Sequence, residues 1–369
     1  MGELSKSRHH YLVLDGLRGI AAICVMMFHR RVWLGGDGVL GHAYLAVDFF
    51  FMLSAFVLTH AYAERLASKT NLLPFMRDRL FRLHPMLIAG ALIAALVAYL
   101  ESLTGATALY EHPLATFLAS LVPIPAFWTS SPTAFPWNLP VWSLFWELLA
   151  SLAAGAFLIT ASFRVLIILT AIFGIALITT TIWLNGAEVG FSNDQILFWL
   201  GAPRVLFAFS LGTLVYHLHN RINIKTHRYG WLCCLFLVTS FTALPRDAAG
   251  AGVYDAVMVS IVFPLLILFA ARADAVMPRF CVILGAVSYP LYILHEPTLK
   301  IVAGGFRAIG LSSGGAGQMP ALPEAFLRFA AVFVISYIAL KIYDEPVRAY
   351  LKTWLKKRKD KHDSAVAST

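Results

Sequence analysis

The chain has 369 residues, 59% of them hydrophobic and only 13% charged, with a mean hydropathy of +0.73. That composition excludes an ordinary soluble domain and fits a polytopic membrane protein, so the net charge of +9 speaks of membrane orientation rather than nucleic acid. The four cysteines, Cys24, Cys233, Cys234 and Cys281, fall in apolar runs and read as buried small hydrophobes, neither a disulfide frame nor a zinc site.

Residues 1–10 are polar, and the apolar run that follows carries Arg18, so no cleavable leader is expected. The first span, 14–33, holds Arg18 and His29. An ionisable side chain at membrane depth costs several kcal/mol and is by default functional and turned inward. Their spacing makes about three helical turns, which puts both on one face, roughly 16 Å apart along the axis. The bland reading is that both snorkel from the helix ends. Further apolar runs follow at 44–62, 85–103, 137–161, 165–184, 196–218, 230–244, 255–271, 281–303 and 324–343. These make about ten spans, each near the length a bilayer requires. The stretch 113–127 is short and broken by proline and reads as interfacial or re-entrant. The expected fold is an all-α integral membrane protein whose helices enclose a central polar site. Residues 1–350 form the membrane domain, and 351–369 form a basic, disordered cytoplasmic tail.

Loop cations set the orientation. With the N-terminus cytoplasmic, Arg65, Lys69, Arg77, Arg79, Arg82, Arg164, Arg221, Lys225, Arg228, Arg272, Arg279 and the basic tail all fall inside. Both termini are then cytoplasmic. Arg30 and Arg31 break the pattern, because this orientation puts them outside. Arg79 and Arg82 stand at the cytoplasmic entry to the third span, and arginine forks suit phosphate. Toward the outer face lie Asp48, Asn138, Trp142, Ser143, Glu147, His295 and Glu296. Ser288, Tyr292 and His295 share one helical stripe. Topogenic cations would explain Arg79 and Arg82 equally well, and an interfacial anchor would explain Trp142. Asp48 and Glu147 are harder to dismiss, since a carboxylate this deep needs a partner.

Arg18 and His29 after Leu14-Asp15-Gly16-Leu17-Arg18-Gly19 resemble the paired arginine and histidine of the acyltransferase-3 family of membrane O-acyltransferases. Further resemblance lies in Val47-Asp48-Phe49-Phe50-Phe51-Met52-Leu53-Ser54, in Arg79-Leu80-Phe81-Arg82 and in the run from Asn138 to Glu147. Ser288 to Pro297 and Glu345-Pro346-Val347-Arg348 match the late signatures. Ala55 departs from the glycine usual after the serine, which bears on helix packing there and not on chemistry. No soluble hydrolase-like domain is expected after the last span, as in the stand-alone form.

The resemblance implies transfer of an acyl group, usually acetyl from acetyl-CoA, to a hydroxyl of a sugar or glycan, in a bacterial inner membrane and without a metal. Acyl transfer needs a base for the hydroxyl proton and groups that stabilise an oxyanion. His29 is the expected base, with Glu147 or Asp48 orienting it. Arg18, Arg79 and Arg82 are expected to hold the donor. Asn138, Trp142, Ser143, Tyr292 and His295 are expected to meet the acceptor. The expected partners are the lipid bilayer and a carbohydrate acceptor. The alternative is a proton-coupled transporter or flippase for a lipid-linked sugar, since membrane carboxylates and histidines also serve proton relays.

Overall fold

The computed structural model describes residues 11–36, 38–66, 71–103, 111–222, 228–312 and 320–367. Lys69 and Lys225, part of the expected cytoplasmic charge pattern, lie outside them. The described chain is helical. Its helices are α1 (Leu12–Phe28), α2 (Ala46–Leu66), α3 (Leu72–Leu103), α4 (Pro113–Leu121), α5 (Val141–Ala156), α6 (Phe163–Leu184) and α7 (Gln195–Trp199). They continue with α8 (Gly201–Arg221), α9 (Gly230–Thr242), α10 (Ala251–Val257), α11 (Phe263–Ala270), α12 (Pro278–Ala308), α13 (Leu322–Ala339) and α14 (Glu345–Ala367).

Among the described residues, 8 helical runs are long and apolar enough to cross a membrane. They correspond to eight of the expected spans. The first and seventh fall short: α1 has 17 residues and α9 has 13. The 113–127 stretch holds only the 9-residue helix α4, too short to cross.

Two boundaries differ from the sequence reading. The third helix begins at Leu72 rather than at Pro85, and Pro85 sits inside it. The missing proline N–H frees the Phe81 carbonyl, a break that a membrane helix tolerates in its interior. The tail, expected to be disordered, continues as α14 to Ala367. Proline leaves a second mark. The π turns Met258–Val262 and Leu340–Asp344 each lie just before a proline, Pro264 and Pro346. The missing proline N–H breaks the regular ladder, and a wider turn absorbs the break.

α2 is central and α6 peripheral: 78% of the most apolar stretch of the α2 run is buried, against 28% for α6. Exposed Ile167, Ile168, Ile172 and Ile175 on α6 fit a lipid-facing surface. The most extensive helix pairing is α1 on α12. An added Cβ on Gly19 would lie 2.4 Å from the Leu284 Cβ and 2.6 Å from its carbonyl oxygen, so only glycine permits this approach. Membrane helices lack a hydrophobic drive to associate and rely on such close backbone contact. α2 and α8 also meet closely although Ala55 replaces a glycine. The small residue stands on the other helix, where an added Cβ on Gly212 would lie 2.2 Å from the Met52 carbonyl oxygen. The pairings Gly16–Cys281, Gly19–Leu284 and His29–His295 ascend together, so α1 and α12 run parallel.

Candidate active site

Three cavities follow the inner face of α1. The first is lined by Tyr11, Asp15, Arg18, His60, Arg82 and Gly285, among others, with about 1000 Å³ of empty space. The central one, about 770 Å³, shares Arg18, Leu53, Val57 and Arg82 with it and adds Ser54, Arg79, Ser143, Glu147, Ser288 and Tyr292. The third, about 910 Å³, shares Val47 and Tyr292 with the central one and reaches His29, Trp142 and Arg204. Together they form a succession from Tyr11 at the start of α1 to His29 at its end.

Arg18 is held on two sides. Its Nε donates to Ser288 Oγ at 3.0 Å, one amino nitrogen donates to the Gly285 carbonyl at 2.8 Å, and Asp15 lies 3.1 Å away. Two directed contacts to α12 and one to Asp15 on its own helix fix the guanidinium, which still lines two cavities. Arg82 is exposed and lines the same two. Arg79 is buried. It pairs with the Glu147 carboxylate and donates to Ser54 Oγ at 3.3 Å, and Ser54 in turn donates to Glu147 at 3.0 Å. The expected neighbours Arg79 and Arg82 therefore part ways, one in an internal ion pair and one open to the cavities.

Neither expected carboxylate reaches His29. Glu147 is engaged by Arg79 and Ser54. Asp48 is wholly buried and takes a two-pronged bond from Arg204, Nε to Oδ1 at 2.8 Å and an amino nitrogen to Oδ2 at 2.6 Å. The physical reason is desolvation: a carboxylate removed from water binds the nearest guanidinium before a neutral imidazole. Arg204 is the residue the sequence reading missed. The signal was there, an arginine inside the sixth apolar run and a buried aspartate in need of a partner. The cluster of His42, Tyr44 and Asp255 was missed as well. Asp255 accepts from Tyr44 at 2.6 Å and from the Ala187 amide at 2.8 Å, and His42 Nδ1 lies 2.7 Å away.

The partner of His29 is another histidine. His29 Nδ1 lies 2.9 Å from the Val25 carbonyl and 3.3 Å from His295 Nε2. His295 Nδ1 lies 2.7 Å from the Tyr292 carbonyl. A carbonyl only accepts, so the nitrogens facing Val25 and Tyr292 carry the protons. His295 then offers a lone pair to His29, and His29 keeps its lone pair on Nε2. Next to this pair Arg30 forms a fork on Glu296, at 3.2 and 3.1 Å.

The residues expected to meet the acceptor separate. Tyr292 and Ser143 are joined hydroxyl to hydroxyl at 2.8 Å on the central cavity. Trp142 lines the cavity that holds His29, with the Arg204 guanidinium 5.4 Å from its ring centre. His295 is buried behind His29. Asn138 serves the helix instead: it donates to the Ile293 carbonyl at 2.9 Å. That carbonyl would bond the backbone N–H four residues on, but Pro297 stands there and has none.

A sequence profile of the acyltransferase domain family matches residues 11–341. The relative named "Protein 2 in picA locus", from Rhizobium radiobacter, is 43% identical over 88 residues, which is 23% of this chain and 44% of that protein. The "Exopolysaccharide production protein ExoZ" of Rhizobium meliloti (strain 1021) is 26% identical over 325 residues, 84% of this chain and 93% of that protein. No solved structure matches the chain. With the profile running from Tyr11 to Lys341, the chain belongs to the acyltransferase-3 family and is an integral membrane acyltransferase.

Proposed function

We propose that the protein moves an acetyl group from acetyl-CoA to a hydroxyl of a sugar in an exported polysaccharide, with His29 as general base. The carrying observation is the His29–His295 pair, which fixes the proton on Nδ1 and leaves Nε2 as a lone pair on a residue of the outer cavity. Nε2 takes the acceptor hydroxyl proton as the oxygen attacks the thioester carbonyl. The tetrahedral oxyanion collapses, the C–S bond breaks, and the imidazolium returns the proton to the CoA sulfur. On the central cavity, where the acyl carbonyl would pass, Ser143 donates to the Pro140 carbonyl at 3.0 Å and lies 2.8 Å from the Tyr292 hydroxyl, whose proton can turn to the oxyanion. The relative's name, an exopolysaccharide production protein, supports a glycan acceptor.

In this reading the donor enters at the Tyr11 end. Arg82 and Arg18 line both cavities on that route and would take the CoA phosphates. Arg79 contributes through Glu147 and Ser54, which border the path of the pantetheine arm. The Arg18 to His29 rise, roughly 16 Å, is comparable to that arm extended.

The cation pattern supports a cytoplasmic N-terminus in a bacterial inner membrane. The parallel course of α1 and α12 bears on the number of crossings and not on the side: an odd number must separate them, which α2, α3, α5, α6, α8 and the joined α10 and α11 supply if the short helix α9 crosses as well. The test is purified protein with acetyl-CoA and a deacetylated polysaccharide repeat, analysed by mass spectrometry. An added acetyl mass that depends on the protein is expected. Donor consumption without glycan modification, or none at all, would contradict the reading.

A further inference from the structure

In the proposed transfer the thioester carbon must be open on two sides. Its sulfur arrives through the central cavity, and the acceptor oxygen arrives through the cavity of His29. Among the described residues, Val47 and Tyr292 are the two that line both cavities. The reacting carbon therefore belongs between an isopropyl group and a phenol ring, with no charged side chain common to the two walls.

Both side chains are held in place. Tyr292 is buried and fixed at three points: its hydroxyl lies 2.8 Å from Ser143 Oγ, its ring stands edge-on to Phe50 with centres 5.6 Å apart, and its carbonyl lies 2.7 Å from His295 Nδ1. Val47 is buried in the first turn of α2, between the fully buried Ala46 and Asp48. The fork from Arg204 pins Asp48, and the close approach of Gly212 to Met52 pins the next turn. A β-branched side chain inside a helix has essentially one rotamer. Widening the gap thus requires a helix or a tethered ring to move within a close-packed interior.

The geometry also orients the acyl group. With sulfur toward the central cavity and the carbonyl oxygen toward the Tyr292 hydroxyl, the remaining substituent of the trigonal carbon faces Val47. A methyl group there meets one isopropyl wall, whereas a branched carbon brings further methyls against it.

We propose that Val47 and the Tyr292 ring form an acyl subsite that accepts acetyl and turns away acyl groups branched at the carbon next to the carbonyl. This rests on the transfer reading and deepens it by naming the shape of the acyl group. The bonds made and broken are those given above, and Val47 takes no part in them.

A competition tests it. Purified protein would receive equal amounts of acetyl-CoA, propionyl-CoA and isobutyryl-CoA with the deacetylated polysaccharide repeat, and the three product masses would be compared. In such a mixture the product ratio follows the ratio of kcat/KM values, so partial loss of folded protein lowers every product and leaves the ratio unchanged. Wild type should favour acetyl over isobutyryl by at least about tenfold, the low end for a methyl-sized difference in an apolar pocket. Val47→Ala should raise the isobutyryl-to-acetyl ratio by about tenfold or more. Val47→Ile, which adds one methyl, should instead lower the propionyl-to-acetyl ratio. A merely loosened helix would not move the two ratios in opposite directions. No preference in wild type, or the same ratios in wild type and both variants, would overturn the inference, while the acetyl product would keep the transfer reading. No product from any donor would overturn both.

Discussion

In the proposed mechanism His29 is the base, and His295, a second imidazole, stands where a carboxylate commonly orients the first. The consequence is specific: His295 offers a neutral lone pair, so it fixes direction without adding negative charge. His295→Gln keeps an acceptor near His29 and should retain part of the turnover, whereas His295→Leu should lose about 10²–10⁴-fold, the usual range for acid–base assistance. A pH–rate profile distinguishes positioning from simple collapse. The His295→Gln profile should keep one ascending limb set by His29, and a flat profile would remove His29 as the titrating base. The Asp48–Arg204 fork is a different sort of pair, wholly buried, with Arg204 on the wall of the cavity that holds His29. Arg204→Met alone should cost about 3–5 kcal/mol by stranding Asp48, and adding Asp48→Leu should return much of that. Thermal unfolding in detergent reads both; a double variant less stable than Arg204→Met would rule out charge stranding as the cause.

At the level of helices, the sequence reading located the apolar runs well but placed their ends poorly. Hydropathy reports where lipid contact is tolerated, and α3 and α14 extend beyond the apolar stretch into segments where charge alternates with apolar residues. Arg18, His29, Tyr292 and Ser143 were legible because charge and hydroxyl stand out inside apolar runs. Their partners were not, because Ser54–Glu147 and Asp48–Arg204 join residues far apart in the chain. The Asn138 bond to the carbonyl freed by Pro297 illustrates the point, since a motif residue expected at the acceptor serves helix integrity. Asn138→Ala should cost about 1–3 kcal/mol by leaving that carbonyl unpaired. In a Pro297→Ala background the helix supplies its own N–H, so the same change should cost clearly less; equal costs would refute the assignment. Gly19→Ala, facing the Leu284 backbone, should lower stability by about 1–3 kcal/mol, while Gly304→Ala, with open space around it, should not. Parallel melting curves settle this contrast, and equal shifts would contradict the close α1–α12 crossing.

Over the whole molecule, the succession of cavities along α1 has Arg18 and Arg82, the proposed donor groups, toward one end and His29, the proposed base, at the other. Binding and chemistry then belong to different residues. Interactions with the CoA phosphates are made in the ground state, and the proton transfer to His29 only in the transition state, so a variant at each should fail in its own way. The Arg82→Gln, Arg18→Gln double variant should raise the donor dissociation constant, with residual binding weakened further by salt. The most direct measurement is acetyl-CoA affinity alongside acetyl transfer, on the same preparation of wild type and His29→Ala. The account predicts that His29→Ala binds acetyl-CoA within about twofold of wild type, while transfer falls at least about 10²-fold. Near-wild-type transfer in His29→Ala, or loss of donor binding together with transfer, would contradict it.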